Sequence, residues 1–200
     1  MIPPRVRALV ILSAEAPQPD LHMTELALVP DTTPQPPALI VQLLQKLAVP
    51  FQVRQERPGL NPAQRVQAVL LEDELGALLA LFPQSQLLDL SRLAELTGRK
   101  LLAVKPERLQ RMLGKHQLAL LPGLPALTSS PCLYEERLLQ EPLLLVESGQ
   151  AGVLLEIPSD AFKGLLSKAS SARFGEPLSL IQPNLDRPHD DRAEITQAVQ

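Results

Sequence analysis

The stretch Val66 to Phe82, "VQAVLLEDELGALLALF", decides how the chain is read. Its two arms, "VQAVLLE" and "GALLALF", flank "DELG", a short run of turn formers ending in Gly76, and this arrangement predicts a β-hairpin. Both arms are nearly all apolar, so the hairpin belongs to a sheet expected to be covered on both faces.

Working outward toward the N-terminus, "NPAQR" (61–65) opens with an Asn-Pro pair suited to an N-cap and first helical turn, and "FQVRQ" (51–55) is a strand candidate. From Ala38, the residues Leu39, Ile40, Leu43, Leu44 and Leu47 recur at helical spacing and give one apolar stripe. Toward the C-terminus, "DLSRLAELTG" (89–98) predicts a helix with Leu90, Leu93 and Leu96 on one side and Gly98 at its C-terminal cap. "LLAV" (101–104) is a strand. Pro106 then starts a helix whose apolar face is Leu109, Met112 and Leu113, and Gly114 ends it. "CLYE" (132–135), "LLLVE" (143–147) and "GVLLEI" (152–157) are strands, the last two joined through "SGQA" as a second hairpin. "SDAFKGLLSKA" (159–169) closes the set as a helix with Ser159 as N-cap and Phe162, Leu165 and Leu166 as its buried stripe. The sum is a mixed α/β (α+β) domain over residues 38–170, with a largely antiparallel sheet flanked by helices.

Beyond those limits the pattern changes. Residues 1–37 hold eight prolines and little periodicity, which reads as a flexible leader, with Met23 an alternative start. The apolar run after Arg5 and Arg7 lies at the short limit of a signal segment, and no stretch approaches the ~20 apolar residues of a membrane span. Residues 171–200 are expected to form a linker that enters another element at "DDRAEITQAVQ".

Composition narrows the chemistry. With 200 residues, a net charge of −3 and only 2% aromatic residues, the chain exerts no global pull on nucleic acid, which would have to meet a local basic patch, and a surface that stacks bases on aromatic side chains is not expected. Cys132 is the only cysteine, so no internal disulfide forms, and His22, His116 and His189 show no metal-ligand spacing. A reducing cytoplasm fits, and neither metal nor cofactor is expected. Glu135 and Glu136, and Asp190 and Asp191, are adjacent carboxylates, which do not aim two groups at one atom and read as surface charges. Cys132 reads as a buried, inert thiol rather than the partner of His116. No nucleophile elbow or phosphate-binding glycine loop is present.

Taken in order, "RVQAVLLEDELGALLALFPQSQLLDLSRLAELTGRKLLAVKPERLQRMLGKHQLALLPGLP", "SSPCLYEERLL" and "LLLVESGQAGVLLEI" resemble the YbaK-like aminoacyl-tRNA deacylase domain, also called the prolyl-tRNA-synthetase-associated editing domain. The resemblance spans about residues 38–168. More narrowly, the chain is similar to the N-terminal module of bacterial proteins in which an HDOD domain, an all-helical signalling relative of HD phosphohydrolases, follows the linker.

The resemblance implies a mixed, largely antiparallel sheet or open barrel flanked by helices. It also implies hydrolysis, in trans, of the ester between a wrong amino acid and the 3′ end of tRNA. Aminoacyl-tRNA is then the partner, and backbone N–H groups of a Gly-x-x-x-Pro loop orient the ester carbonyl. The family lysine position on the first hairpin strand falls on Gln67, which brings no charge. The loop glycine falls on Leu118, while Pro122 keeps the proline and Gly123 follows it. Gly114, Glu135 and Gly149 match family positions, and Lys115 and His116 stand beside the loop as replacement charges. The alternatives are a catalytically degenerate module that binds tRNA, an aminoacyl group or a protein for a downstream HDOD domain, and a purely structural module for oligomerisation.

Overall fold

The computed structural model describes residues 34–178, so residues 1–33 of the leader, residues 179–200 of the final linker and Asp190 and Asp191 lie outside them. Residues 171–178, expected as the start of that linker, instead belong to the paired strands Ser170–Ala172 and Gly175–Pro177 and bury Phe174 between them. The hairpin of the opening stretch forms as expected. β2 (Arg65–Asp73) pairs antiparallel with β3 (Gly76–Pro83) in unbroken register from Val66 opposite Pro83 to Asp73 opposite Gly76. The turn holds because Asp73 Oδ1 accepts the Leu75 N–H at 2.9 Å and Gly76 takes a φ of 117°, a conformation that favours glycine. Arg99 then donates to both Asp73 and the Gly76 carbonyl, and its guanidinium holds the Asp73 carboxyl below the usual range.

Around this hairpin the chain lays down β1 (Gln52–Gln55), β5 (Leu102–Ala103), β6 (Cys132–Glu135), β7 (Leu143–Glu147), β8 (Val153–Pro158) and β9 (Ser170–Ala172). Together they form an eight-stranded sheet in the order β1-β8-β7-β2-β3-β6-β9, with β5 on the free edge of β2. Pairings of β1 with β8, β7 with β8, and β2 with β3 and β5 are antiparallel; β2 with β7, β3 with β6, and β6 with β9 are parallel. The sheet is therefore mixed and largely antiparallel. A separate two-stranded ribbon joins β4 (Gln86–Leu88) to β10 (Gly175–Pro177).

Alternation along β2 sends its side chains into two cores. Val66, Ala68 and Leu70 meet the core that holds α1 (Ala38–Lys46), α3 (Pro106–Gly114) and α4 (Ser159–Leu165), through Ile40, Leu44, Leu113 and Phe162. Val69 and Leu71 meet a smaller core made by Phe82, Leu133, Phe174 and Leu93, the last from α2 (Leu90–Thr97). Both faces are covered, as the apolar arms require. An eight-residue helix such as α2 is too short to stand alone, since isolated helices below ~12–15 residues are marginal. Its stability comes from Leu93, fully buried, together with the Asp89 cap on the Arg92 N–H and the left-handed Gly98. Leu90 and Leu96, expected beside Leu93, are exposed at 41% and 44%, because one row of contacts suffices for so short a helix.

Other expectations need correction. "NPAQR" does not start a helix: Asn61 accepts the Ala63 N–H through Oδ1 and the Gln64 N–H through its carbonyl, a turn that delivers Arg65 straight into β2. Ser159 is the first residue of α4 rather than its cap; Pro158 precedes it, and the Ser159 hydroxyl is buried without a partner among the described residues. Gly114 ends α3 as expected, in ordinary helical conformation, and the chain reverses three residues later at Gln117, whose φ is 56°. Glu135 is not a surface charge. It is 1% exposed, and its Oε2 accepts the N–H groups of Phe174 at 2.6 Å and Gly175 at 2.8 Å, tying the segment between β9 and β10 to β6.

Candidate functional site

The segment after α3 is shaped by where its backbone hydrogen bonds go. The N–H groups of His116 and Leu118 donate to the Leu113 carbonyl, and that of Gln117 to Gly114. Ala119 and Leu120 both donate to the Gly149 carbonyl, at 2.7 and 3.2 Å. The N–H groups of Leu121, Gly123 and Leu124 meet no acceptor among the described residues. Three donors thus cluster around Pro122, which has none of its own.

Side chains fix this segment from beneath. Gly149 lies in the β7–β8 turn with a φ of 89°, and a Cβ there would fall 2.7 Å from Leu118 Cδ2 and 3.3 Å from Pro122 Cγ. Leu118, Pro122 and Gly149 therefore form one packed unit, all buried. Gly123 has a different reason to lack a side chain, because a Cβ would lie 3.1 Å from Val66 Cγ1 and 3.3 Å from Val146 Cγ1. Those valines mark the fork where β2 and β7, paired only at Arg65 and Val66, part company. The segment enters the sheet at that fork.

The structure brings together Leu118, Pro122, Gly123 and Gly149. Lys115 and His116 stand exposed on the turn that leads into the segment. Gln67 is apart from all of them. It is opposite Phe82 in the hairpin register, and by alternation it faces the smaller core while its neighbour Val66 faces Gly123.

Two groups near the fork escaped the sequence reading. Arg65 donates to Glu147 at 2.8 Å and is paired with Glu56 at 2.6 Å. Burial works against its charge, but the two carboxylates outweigh that and raise its pKa. Its charge is thus committed internally. Ser148, fully buried beside Gly149, accepts the Gln150 N–H at 3.2 Å and so sets the turn. The only signal for either was position, Arg65 two residues before Gln67 and Ser148 inside "VESG".

Among the described residues, no titratable side chain hydrogen-bonds to this segment as a general acid or base would. Cys132 is buried in β6, and burial pushes its thiol up to about 12, so it is neither thiolate nor nucleophile at neutral pH. Among the described residues no group of three His, Cys, Asp or Glu side chains gathers as a metal site would, and no helix is long and apolar enough to cross a membrane. What the arrangement offers is backbone donors without partners among the described residues beside an apolar floor, groups that can polarise a carbonyl but cannot move protons.

The aminoacyl-tRNA editing domain family matches residues 51–165, more than half of the chain. The chain belongs to that family. The match runs from β1 through α4 and includes the whole of the Pro122 segment. No curated protein matches it. Among solved structures, this editing domain resembles a candidate signal transduction protein from Marinobacter aquaeolei VT8, with a TM-score of 0.69 and 28% identity over 74% of this chain and 33% of that one. The chain thus spans about a third of that structure's length. It also resembles a candidate trans-editing enzyme for prolyl tRNA synthetase, with a TM-score of 0.60 and 23% identity over 72% of this chain and 99% of that one. The second likeness concerns the fold alone.

Proposed function

We propose that this editing domain binds the aminoacyl ester at the 3′ end of mischarged tRNA and promotes its hydrolysis in trans, with the backbone of residues 121–124 holding the ester carbonyl. The observation that carries this reading is the set of unspent N–H groups at Leu121, Gly123 and Leu124. Gly123 and Leu124 are buried and Leu121 half-buried, and buried donors are nearly always paired, so the segment is open to an acceptor from outside the described residues. An ester oxygen that gains charge in the transition state is such an acceptor. Water and the ribose hydroxyl of the substrate would supply the nucleophile and proton path, which is consistent with a site lacking acid or base side chains. Lys115 and His116, exposed at the mouth, are the charges available to the tRNA backbone. The domain requires no metal or cofactor in this reading, and it works in the cytoplasm, where its substrate is found.

A second reading is favoured by two specific observations. Leu118 fills the space over Gly149, and Gln67 brings neither charge nor proximity to the segment. On these grounds the domain recognises an aminoacyl end or tRNA without turning it over and passes that state to a signalling partner such as an HDOD domain. The likeness to a much longer candidate signal transduction protein supports this reading.

Deacylation of a panel of mischarged tRNAs separates the two. Hydrolysis of at least one, lost when the 118–124 segment is altered, is the expected result. No turnover with any tRNA, accompanied by salt-dependent binding, would move the conclusion to the second reading.

A further inference from the structure

Along α3 the basic residues gather on one flank. Leu109, Met112 and Leu113 turn one side of the helix to the core, with Leu113 buried. Arg108, Arg111 and Lys115 follow one another at i, i+3 and i+7, a spacing that stacks them along a single strip beside that apolar side. All three are exposed, as is Lys105 at the helix start. Glu107 is the only acidic residue from Lys105 to Lys115, so this stretch is strongly basic in a chain whose net charge is −3. A chain without a global positive charge meets a polyanion through a local patch of this kind.

Which end of the strip is available depends on which cations are already paired. Arg54, Arg65, Arg92, Arg99, Arg108 and Arg173 each face a carboxylate. For Arg108 that partner is Glu72 of β2. Arg111 is held differently: its Nε donates to the Glu107 carbonyl at 3.3 Å, and its two terminal nitrogens meet no acceptor among the described residues. The stem is thereby steadied while the fork that can grip a phosphate stays free. Cations in the last turn also suit the helix dipole, which accounts for Arg111 and Lys115 near the C-terminus but not for their sharing a flank with Arg108. This unpaired end adjoins the site, because the turn after Lys115 is bonded to Leu113 and Gly114 and runs directly into the Pro122 segment.

We propose that this flank of α3 is the surface on which the RNA strand next to the 3′ end lies, with Arg111 and Lys115 on backbone phosphates and Arg108 able to join them by leaving Glu72. The proposal rests on the reading that the domain takes the end of a tRNA. From Arg108 to Lys115 the strip rises about 10 Å, enough for roughly three nucleotides at the ~3.4 Å rise of a nucleic-acid strand. Contacts of this kind place the nucleic acid without reading its sequence. They serve hydrolysis and recognition alike, because they hold the RNA backbone and not the ester.

The test uses the full chain and unacylated tRNA, whose binding is independent of turnover because it carries no ester. Arg111→Gln and Lys115→Gln should each weaken binding about 10-fold at low salt and lower the salt slope by about one, with the melting temperature unchanged. Arg111→Lys should keep the slope but bind less tightly, since it retains the charge and loses the fork. Glu72→Gln, which frees Arg108, should tighten binding. Arg137, exposed and outside α3, serves as the control, and Arg137→Gln should bind as wild type does. Equal losses at Arg137 and on the flank, unaltered slopes in both glutamine variants, or capture by phosphatidylglycerol vesicles with none by tRNA would overturn the assignment. If the flank variants bind tRNA normally while deacylation still depends on residues 118–124, the surface is wrong and the Pro122 reading stands. If they lose tRNA binding while the wild type hydrolyses nothing, the surface stands without that chemistry.

Discussion

Val66 and Gln67 are neighbours in the chain and face opposite sides of the same strand. On the side of Val66, Gly123 lies against its Cγ1 in the core shared with Leu118 and Leu124, and three backbone donors of the Pro122 segment meet no acceptor among the described residues. On the side of Gln67, Phe82 and Phe174 meet edge to face at 6.4 Å, and the one buried carboxylate, Glu135, spends an oxygen on two N–H groups. The aromatic face pairs its buried carboxylate but leaves the buried Gln86 Oε1 beside Gly175 without a partner among the described residues, so the faces differ most in the backbone donors of the Pro122 segment. Under the proposed function, that contrast sets a wall that serves stability against one that serves the substrate, and it shows in the backbone accounting more clearly than in the residue types.

The strongest way to break the comparison is at Glu135. Its replacement by Ala leaves the Phe174 and Gly175 N–H groups without an acceptor, at about 1–3 kcal/mol for each fully buried donor. Urea unfolding of Glu135→Ala should therefore show a loss of roughly 2–4 kcal/mol. Glu135→Gln retains an acceptor oxygen and should lose less. If Glu135→Ala unfolds at the wild-type urea concentration, the buried clamp is not what fixes β9 and β10 to the sheet.

Glu135 also shows where the sequence stopped being legible. The hairpin of residues 65–83, the Gly98 cap and the covered sheet could be read because each depends on residues close in the chain: apolar alternation, a turn former, a glycine after a helix. Glu135 lies some forty residues from the N–H groups it binds, so the chain alone offers only an acidic residue beside another one. The same applies to the site. Pro122 and Gly149 were legible as family positions, but the contact between Gly149 and Leu118, thirty-one positions away, was not. Gln67 was misleading for a simpler reason. A position on a strand says nothing about which face it serves until the neighbouring strands are known, and "NPAQR" failed likewise because Asn-Pro serves a tight turn as well as a helix start.

On the substrate side, Gly149→Ala should have the next largest effect. An L side chain at a φ of 89° is strained, and its Cβ would push against Leu118 at 2.7 Å, so a destabilisation of about 1–3 kcal/mol is expected. The consequence for function should exceed that for stability, because the Gly149 carbonyl holds the N–H groups of Ala119 and Leu120 and thereby the donors beyond them. Deacylation or tRNA binding measured well below the melting temperature should fall in this variant. Adding Leu118→Ala should recover the part of the loss caused by the clash and leave the part caused by φ. A double-mutant cycle with no coupling between the two positions would show that Leu118 and Gly149 do not act as a unit.

The smallest effect, and the sharpest test of the two-faced strand, is expected at Gln67. Restoring the family's charge through Gln67→Lys would raise turnover if that side chain served the ester. In this fold it faces Phe82, so the deacylation rate should stay within about twofold of wild type, equivalent to ~0.4 kcal/mol of barrier. Ala68 offers the matching probe, since its side chain packs on the core shared with Leu118 and Leu124. A charge introduced by Ala68→Lys should disturb the Pro122 segment and change tRNA binding, at some cost in stability because Ala68 is partly buried. If the lysine at Gln67 changes turnover and the one at Ala68 does not, the faces have been assigned the wrong way round, and the substrate lies against the aromatic side of the strand.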